Sequence, residues 1–262
     1  MHLHFAPMAR CLGAAALVAV LAACSSTPKD ETAGMSVERV YSEAREDAAS
    51  GNYERAIRFY ERLEGRAAGT ILAQQALLEL AHTYYRSGER AQALATIERY
   101  MKLYPTSAAS DYALYLRGLI NFNDNLGLFG RFSGQSLSDR DQQASKEAYQ
   151  SFRQLVDLYP DSVYAPDARA RMNFIVNSLA EYEVHVARYY FRRGAYLAAA
   201  NRAQLAVQEY QQSPAVEEAL HLMARSYDRL GLPELRDDAL RVLRLNFPQS
   251  TFLSQSGSAN LR

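Results

Sequence analysis

The sequence predicts an all-α solenoid of about five helix pairs, and three observations carry that prediction. Apolar residues recur at three- and four-residue spacing over most of the chain beyond residue 36, while the strict alternation of a half-buried strand is scarce. Glycines punctuate this pattern in register: Gly51 and Gly88 stand 37 residues apart, and so do Gly194 and Gly231. Pro105, Pro160, Pro214 and Pro248 follow the later pairs, where a missing N–H and a fixed φ stop a helix.

In order along the chain, the first pair is marked by Val40, Ala44, Gly51, Tyr53, Ala56, Ile57 and Tyr60. The second is the clearest. Leu77, Leu80, Ala81, Tyr84 and Tyr85 form one apolar stripe, Gly88 makes the turn, Ala93, Leu94, Ile97 and Tyr100 form the next stripe, and Pro105 closes it. This is the pattern of a tetratricopeptide repeat, about 34 residues long. Alanine lets its helices approach closely, and glycine supplies the positive φ that ends the first of them.

The third pair is expected to be interrupted. Leu114 to Phe122, with Gly118 at the small position, gives its first helix, and Ala144 to Pro160, with Ala148, Phe152 and Leu155, gives its second. A glycine- and phenylalanine-rich insertion, 123–140, separates them. Val186, Ala187, Tyr190, Gly194, Tyr196, Ala199, Ala203 and Ala206 mark the fourth pair, whose first helix extends backwards through 164–182 or is preceded there by an extra one. Leu220, Met223, Ala224, Tyr227, Gly231 and Leu243 mark the fifth. The link 64–74 separates the first two pairs, and 251–262 is expected to be a flexible tail. Solenoids stack neighbours in one dimension and present a long face suited to extended peptides or partner domains.

The amino-terminal segment reads differently. Arg10 precedes an apolar run, 11–23, too short for a comfortable bilayer span. The run ends in Leu21-Ala22-Ala23-Cys24, which resembles the lipobox of bacterial lipoproteins. That resemblance implies a signal peptide, 1–23, removed ahead of Cys24, with an S-diacylglycerol and an N-acyl chain such as palmitate on that cysteine. An uncleaved anchor with an incidental cysteine is the alternative; the shortness of the run and the polar Ser25-Ser26-Thr27-Pro28 weigh against it. Two or three acyl chains anchor firmly where one does not. Residues 24–35 are expected to form a flexible lipidated tether. Ser25, where inner-membrane lipoproteins of many enteric bacteria carry aspartate, implies the periplasmic face of the outer membrane.

Composition narrows the function. The chain has two cysteines; Cys11 leaves with the signal peptide and Cys24 takes lipid, so no disulfide is expected. Acidic and basic residues balance at 29 each, which does not indicate a nucleic-acid surface. No metalloprotease, dinucleotide, P-loop or nucleophile-elbow motif occurs. His82, His185 and His221 are scattered without metal-ligand spacing, and Asp139-Arg140-Asp141 and Asp237-Asp238 read as a loop cap and a solvated face. The expectation is no catalytic residue, no metal and no cofactor beyond the covalent lipid. Tyrosine is abundant, at 18, with no tryptophan. A ring with one hydrogen-bonding tip suits a peptide groove, which singles out Tyr84, Tyr112 and Tyr115 among others.

The stretches Asp111 to Leu119, Ser138 to Asp141 after the insertion, Leu179 to Glu183 and Tyr189 to Arg202 together resemble the BamD family of outer membrane protein assembly factors. The resemblance spans nearly the whole mature chain. It implies a non-catalytic lipoprotein of the β-barrel assembly machine. Amino-terminal repeats, 36–122, would receive the carboxy-terminal targeting strand of unfolded barrel proteins. Carboxy-terminal repeats, 141–250, would dock the periplasmic domains of the barrel-forming subunit and other assembly lipoproteins. By motif position it implies Arg202 as the contact to that subunit, through a carboxylate, and Asp111, Tyr112, Tyr115 and Arg117 as groove residues. On this reading Arg202→Glu abolishes docking and leaves the fold intact. The link 64–74 departs from the family in lacking a Pro-Phe-Gly-like turn. The other readings are a repeat lipoprotein of pilus biogenesis or cell-wall and division coordination, and a solenoid transglycosylase, for which no catalytic domain follows Pro248.

Overall fold

A computed structural model describes residues 31–122 and 139–253. Cys24, the signal segment and positions 123–138 of the insertion lie outside them. Ten α-helices occur among the described residues: α1 Val37–Ser50, α2 Tyr53–Arg66, α3 Ile71–Ser87, α4 Arg90–Leu103, α5 Ser110–Asn121, α6 Asp139–Leu158, α7 Ala165–Arg192, α8 Tyr196–Glu209, α9 Ala215–Arg229 and α10 Pro233–Asn246. Each packs on its sequence neighbours, and first helices also meet the first helices of adjacent pairs: α1 on α3, α3 on α5 and α7 on α9. This is the five-pair solenoid that the repeat pattern requires.

Local chemistry accounts for the helix ends. Ser36 and Thr70 cap α1 and α3, their hydroxyls accepting from the backbone N–H of Arg39 and Ala73 at 3.2 Å each. Gly51 and Gly88 end the same two helices at φ 85°. Beyond those glycines the Asn52 and Glu89 N–H groups donate to the Asp47 and Tyr84 carbonyls at 2.8 and 2.9 Å, closing the carbonyls a helix end leaves open. Gly194 and Gly231 repeat the positive φ in the fourth and fifth pairs.

The core is segmented along the stack. One cluster runs from Val40 and Ala44 through Tyr60, Leu77 and Ile97 to Leu116 and Ile120 on one face of α5. Leu114, on another face of that helix, belongs to the next cluster, with Phe152, Leu155 and Ile175. Smaller clusters join α7, α8 and α9, and then α9 and α10. Alanines at full burial on α7 and α8, such as Ala187, Ala199 and Ala203, let those helices pack closely.

Several expected boundaries shift. The link 64–74 shrinks to 67–70, because α2 continues to Arg66 and α3 starts at Ile71. The extension before the fourth pair is one 28-residue helix, opened by Pro166 in its first turn. The triad at 139–141 begins α6 and is not in a loop. The tether 24–35 does not stay free throughout: Thr32 is buried, Arg66 donates to the Thr32 and Met35 carbonyls at 3.0 and 2.6 Å, and Arg55 holds Glu31 at 2.9 Å. Two arginines of α2 thereby satisfy backbone and carboxylate groups that looked solvated in sequence. The tail 251–262 likewise starts with a packed helical turn, 251–253, whose Phe252 ring lies 4.6 Å from the His221 ring.

Candidate functional site

An aromatic run crosses the side of the solenoid lined by first helices. Tyr164, the residue before α7, stacks on Tyr115 at 4.8 Å between ring centroids and 19° between planes, and meets Tyr112 at 5.3 Å. Tyr112 in turn lies edge-on to His82 of α3 at 6.4 Å. Continuing the other way, the Tyr115 hydroxyl donates to Asp167 Oδ2 at 2.7 Å, the same oxygen that accepts from Arg171 Nε at 2.5 Å. The Arg171 guanidinium covers the Phe122 ring at 4.8 Å. The run therefore alternates flat apolar faces with a few oriented polar tips.

Its polar groups are tuned by this packing. Burial pushes the Tyr115 hydroxyl up to about 12, aided by its bond to Asp167, so it stays a donor at any physiological pH. Burial also raises Tyr112, with the Glu79 carboxylate adding to it. Asp167 resists the upward pull of burial, because bonds from Arg171 and Tyr115 hold its carboxyl below the usual range. His82 is pushed down, mainly by burial, and is neutral near pH 7. Asp111 fixes the loop that carries Tyr164: its Oδ2 accepts from the Ser162 hydroxyl at 2.7 Å, and its Oδ1 from the Tyr112 N–H.

The structure thus brings Asp111, Tyr112 and Tyr115 together. Arg117 and Tyr84 lie elsewhere. Arg117 donates from Nε and Nη2 to Ser151 and Gln154 of α6 at 2.9 and 3.0 Å, and Tyr84 donates to Glu61 of α2 at 2.7 Å. Both side chains face second helices. The residues that sequence reasoning missed are Tyr164, Asp167 and Arg171, and the role of His82. Tyr164 read only as the start of an extended helix, with Pro166 as the available signal of a boundary.

In the fourth pair, Arg202 Nη1 of α8 donates to Glu183 Oε2 of α7 at 3.1 Å. Glu183 is almost wholly buried, and Arg202 is half-exposed. The α7–α9 contact carries a further pair, Arg188 to Glu218 at 2.6 Å. Among the described residues no group of three or more His, Cys, Asp or Glu side chains is placed to hold a metal ion, and Asp237 and Asp238 each accept from an arginine at the surface. No helix among them is long and apolar enough to cross a membrane.

Residues 33–243 match the model of the family YfiO, described as outer membrane lipoprotein. The chain is 47% identical over 225 residues to an outer membrane protein assembly factor BamD of Neisseria meningitidis, covering 86% of this chain and 84% of that one. It is 34% identical over 229 residues to the BamD of Vibrio cholerae, covering 87% and 95%, and 30% identical over 231 residues to that of Haemophilus influenzae, covering 88% of each. Likeness to solved structures is looser; a crystal structure of a MamA protein covers 79% of this chain and 90% of that one, at 16% identity and a TM-score of 0.38.

Proposed function

From the premise that this chain belongs to the YfiO family of outer membrane lipoproteins, we propose that it is a non-catalytic scaffold that holds unfolded barrel proteins and docks the subunit that inserts them. Its role at the coarsest level is that of an outer membrane protein assembly factor, as its relatives are named. The anchor of the scaffold is the lipid on Cys24, whose acyl chains hold it at the periplasmic face of the outer membrane.

The observation that carries the substrate reading is the Tyr112–Tyr164–Tyr115 cluster with Asp167 and Arg171 at its end. A barrel's targeting strand is amphipathic and aromatic-rich. Laid along this run, its rings pack on tyrosine faces, with the Asp167–Arg171 ion pair beside its backbone and polar side chains. Affinity is modest, because an unfolded chain loses conformational freedom on binding and must later be released. Arg202 and the surface around it are the reading's contact to the barrel-forming subunit.

Photo-cross-linkers placed at 112, 115 and 164 test the substrate half of this reading in cells. Capture of unfolded barrel proteins from those positions, and not from equivalent positions on α9, is the expected result. Capture from α9 alone overturns it.

A further inference from the structure

The strap of residues ahead of α1, 31–35, is built more closely than a linker needs. Thr32 is buried, and its carbonyl accepts twice, from the Met35 N–H at 3.1 Å and from Arg66 Nη1 at 3.0 Å. Gly34 turns the chain at φ 81°. Met35 then packs against the core of the first pairs, while its carbonyl takes the second terminal nitrogen of Arg66. At the outer end Glu31 pairs with Arg55 and Arg58 of α2 at 2.9 and 3.7 Å. Arg55 is itself fixed by Asp47 and Glu43 of α1, at 2.7 and 3.6 Å. The strap is thereby joined to both helices of the first pair and leads into the Ser36 cap of α1. Ordering these residues costs conformational entropy, which the packed methionine and the charge-assisted bonds offset.

Resting on the reading of Cys24 as the lipidated residue, we propose that this strap is a standoff clamp, which takes up the end of the tether and holds the first pair close to the membrane surface. Glu31 lies seven residues beyond Cys24, a stretch whose full extension is about 25 Å. Ser36 lies twelve residues beyond it, and a tether free to that point would extend to about 43 Å. The clamp therefore removes roughly 18 Å of reach. It also sets the side from which the anchor leaves. Its grip is on α2, a second helix, whereas the tyrosine run lies on the first-helix side. The strap thus leaves the groove uncovered, and an incoming chain meets the run without competing with the scaffold's own tether.

The test puts the mature lipidated chain on vesicles of phosphatidylethanolamine and phosphatidylglycerol that contain acceptor-labelled lipid. A donor dye sits on Glu54→Cys, at an exposed position of α2 outside the clamp and the sole thiol once Cys24 carries lipid. Glu31→Gln/Arg66→Gln releases the strap and leaves Arg55 on Asp47 and Glu43. Five Gly/Ser residues inserted after Lys29 lengthen the tether by the same amount with the strap intact. Both changes should move the donor away from the bilayer by about 5 Å in the mean and widen the spread of energy-transfer distances. Only the double variant should speed hydrogen exchange at the Met35 amide, by at least about tenfold. A donor distance that moves with the insertion but not with the double variant overturns the clamp, and one that moves with neither overturns the standoff. Both results leave the anchor reading standing; absence of acyl mass on Cys24 overturns that reading and this proposal with it.

Discussion

Arg202 Nη1 donates to Glu183 Oε2 at 3.1 Å, and the two partners differ sharply in exposure: the Glu183 side chain is 5% exposed and that of Arg202 43%. The carboxylate is the buried member and depends on this guanidinium. The bond to Glu183 raises the Arg202 pKa above its ordinary value, and partial burial works against it. Removing one partner of such a pair leaves an uncompensated charge in the α7–α8 seam.

Arg202→Glu is consequently no clean docking probe. It sets a second carboxylate against Glu183 and should destabilise the fourth pair by roughly 1–3 kcal/mol, below the range for wholly buried pairs because Arg202 reaches solvent. Arg202→Gln combined with Glu183→Gln removes both charges and should recover most of the loss in thermal melts. If Arg202 also contacts the barrel-forming subunit, the recovered double variant still fails to co-purify with it. A double variant that regains both Tm and partner reduces Arg202 to a structural residue.

Gly118 tests the seam of the interrupted third pair. A methyl group built there runs into the ring of Phe152, which is fully buried. Gly118→Ala should cost about 1–3 kcal/mol through overpacking, despite alanine's better helix propensity. Gly65, in the last turn of α2, faces open space at a negative φ. Gly65→Ala should therefore stabilise by about 0.4–1 kcal/mol. Circular dichroism melts of both variants decide the matter; shifts of the same sign refute the packing account.

What the sequence made legible was local. Gly88 and Gly51 announce positive φ because the residues that need the turn lie within a few positions, and Ala199 or Leu80 announce burial through their spacing. Pairings across helices left no such trace. Glu183 reads like any helix carboxylate until Arg202, 19 residues on, is folded back against it. Tyr115 was legible as an aromatic at a groove position, but its partners Tyr164 and Asp167 lie beyond the insertion, 52 residues away in the case of the hydrogen bond. Residues 31–35, Glu-Thr-Ala-Gly-Met, carry no helical apolar spacing and so read as tether; Arg66, more than 30 residues later, supplies the donors that fix them. Tyr84 and Arg117 sit at helix positions whose spacing does not say whether a first-helix or second-helix neighbour will face them.

The packed turn at 251–253 links the last pair to pH. His221 is 4% exposed, its Nδ1 has no partner among the described residues, and the Phe252 ring covers it at 4.6 Å. Burial, reinforced by Arg225, pushes its pKa below the ordinary value. The neutral ring is thus the folded form. Stability from this site is complete above the unfolded-state value of about 6.5 and is lost as pH falls below it, because the unfolded chain takes up the proton first. Melts of the mature chain should accordingly show Tm falling between about pH 7 and 5. Phe252→Ala opens the ring to water and removes a stacking contact worth about 1 kcal/mol. It should lower Tm at pH 7, move the His221 NMR titration back up, and flatten the acid-dependent loss relative to the parent. His82 is also pushed down by burial, but it lies in the second pair and is common to both proteins, so the difference between the two pH profiles isolates His221. An unchanged His221 midpoint in Phe252→Ala would show that α9 and α10 alone desolvate the ring and that the carboxy-terminal turn is not its cover.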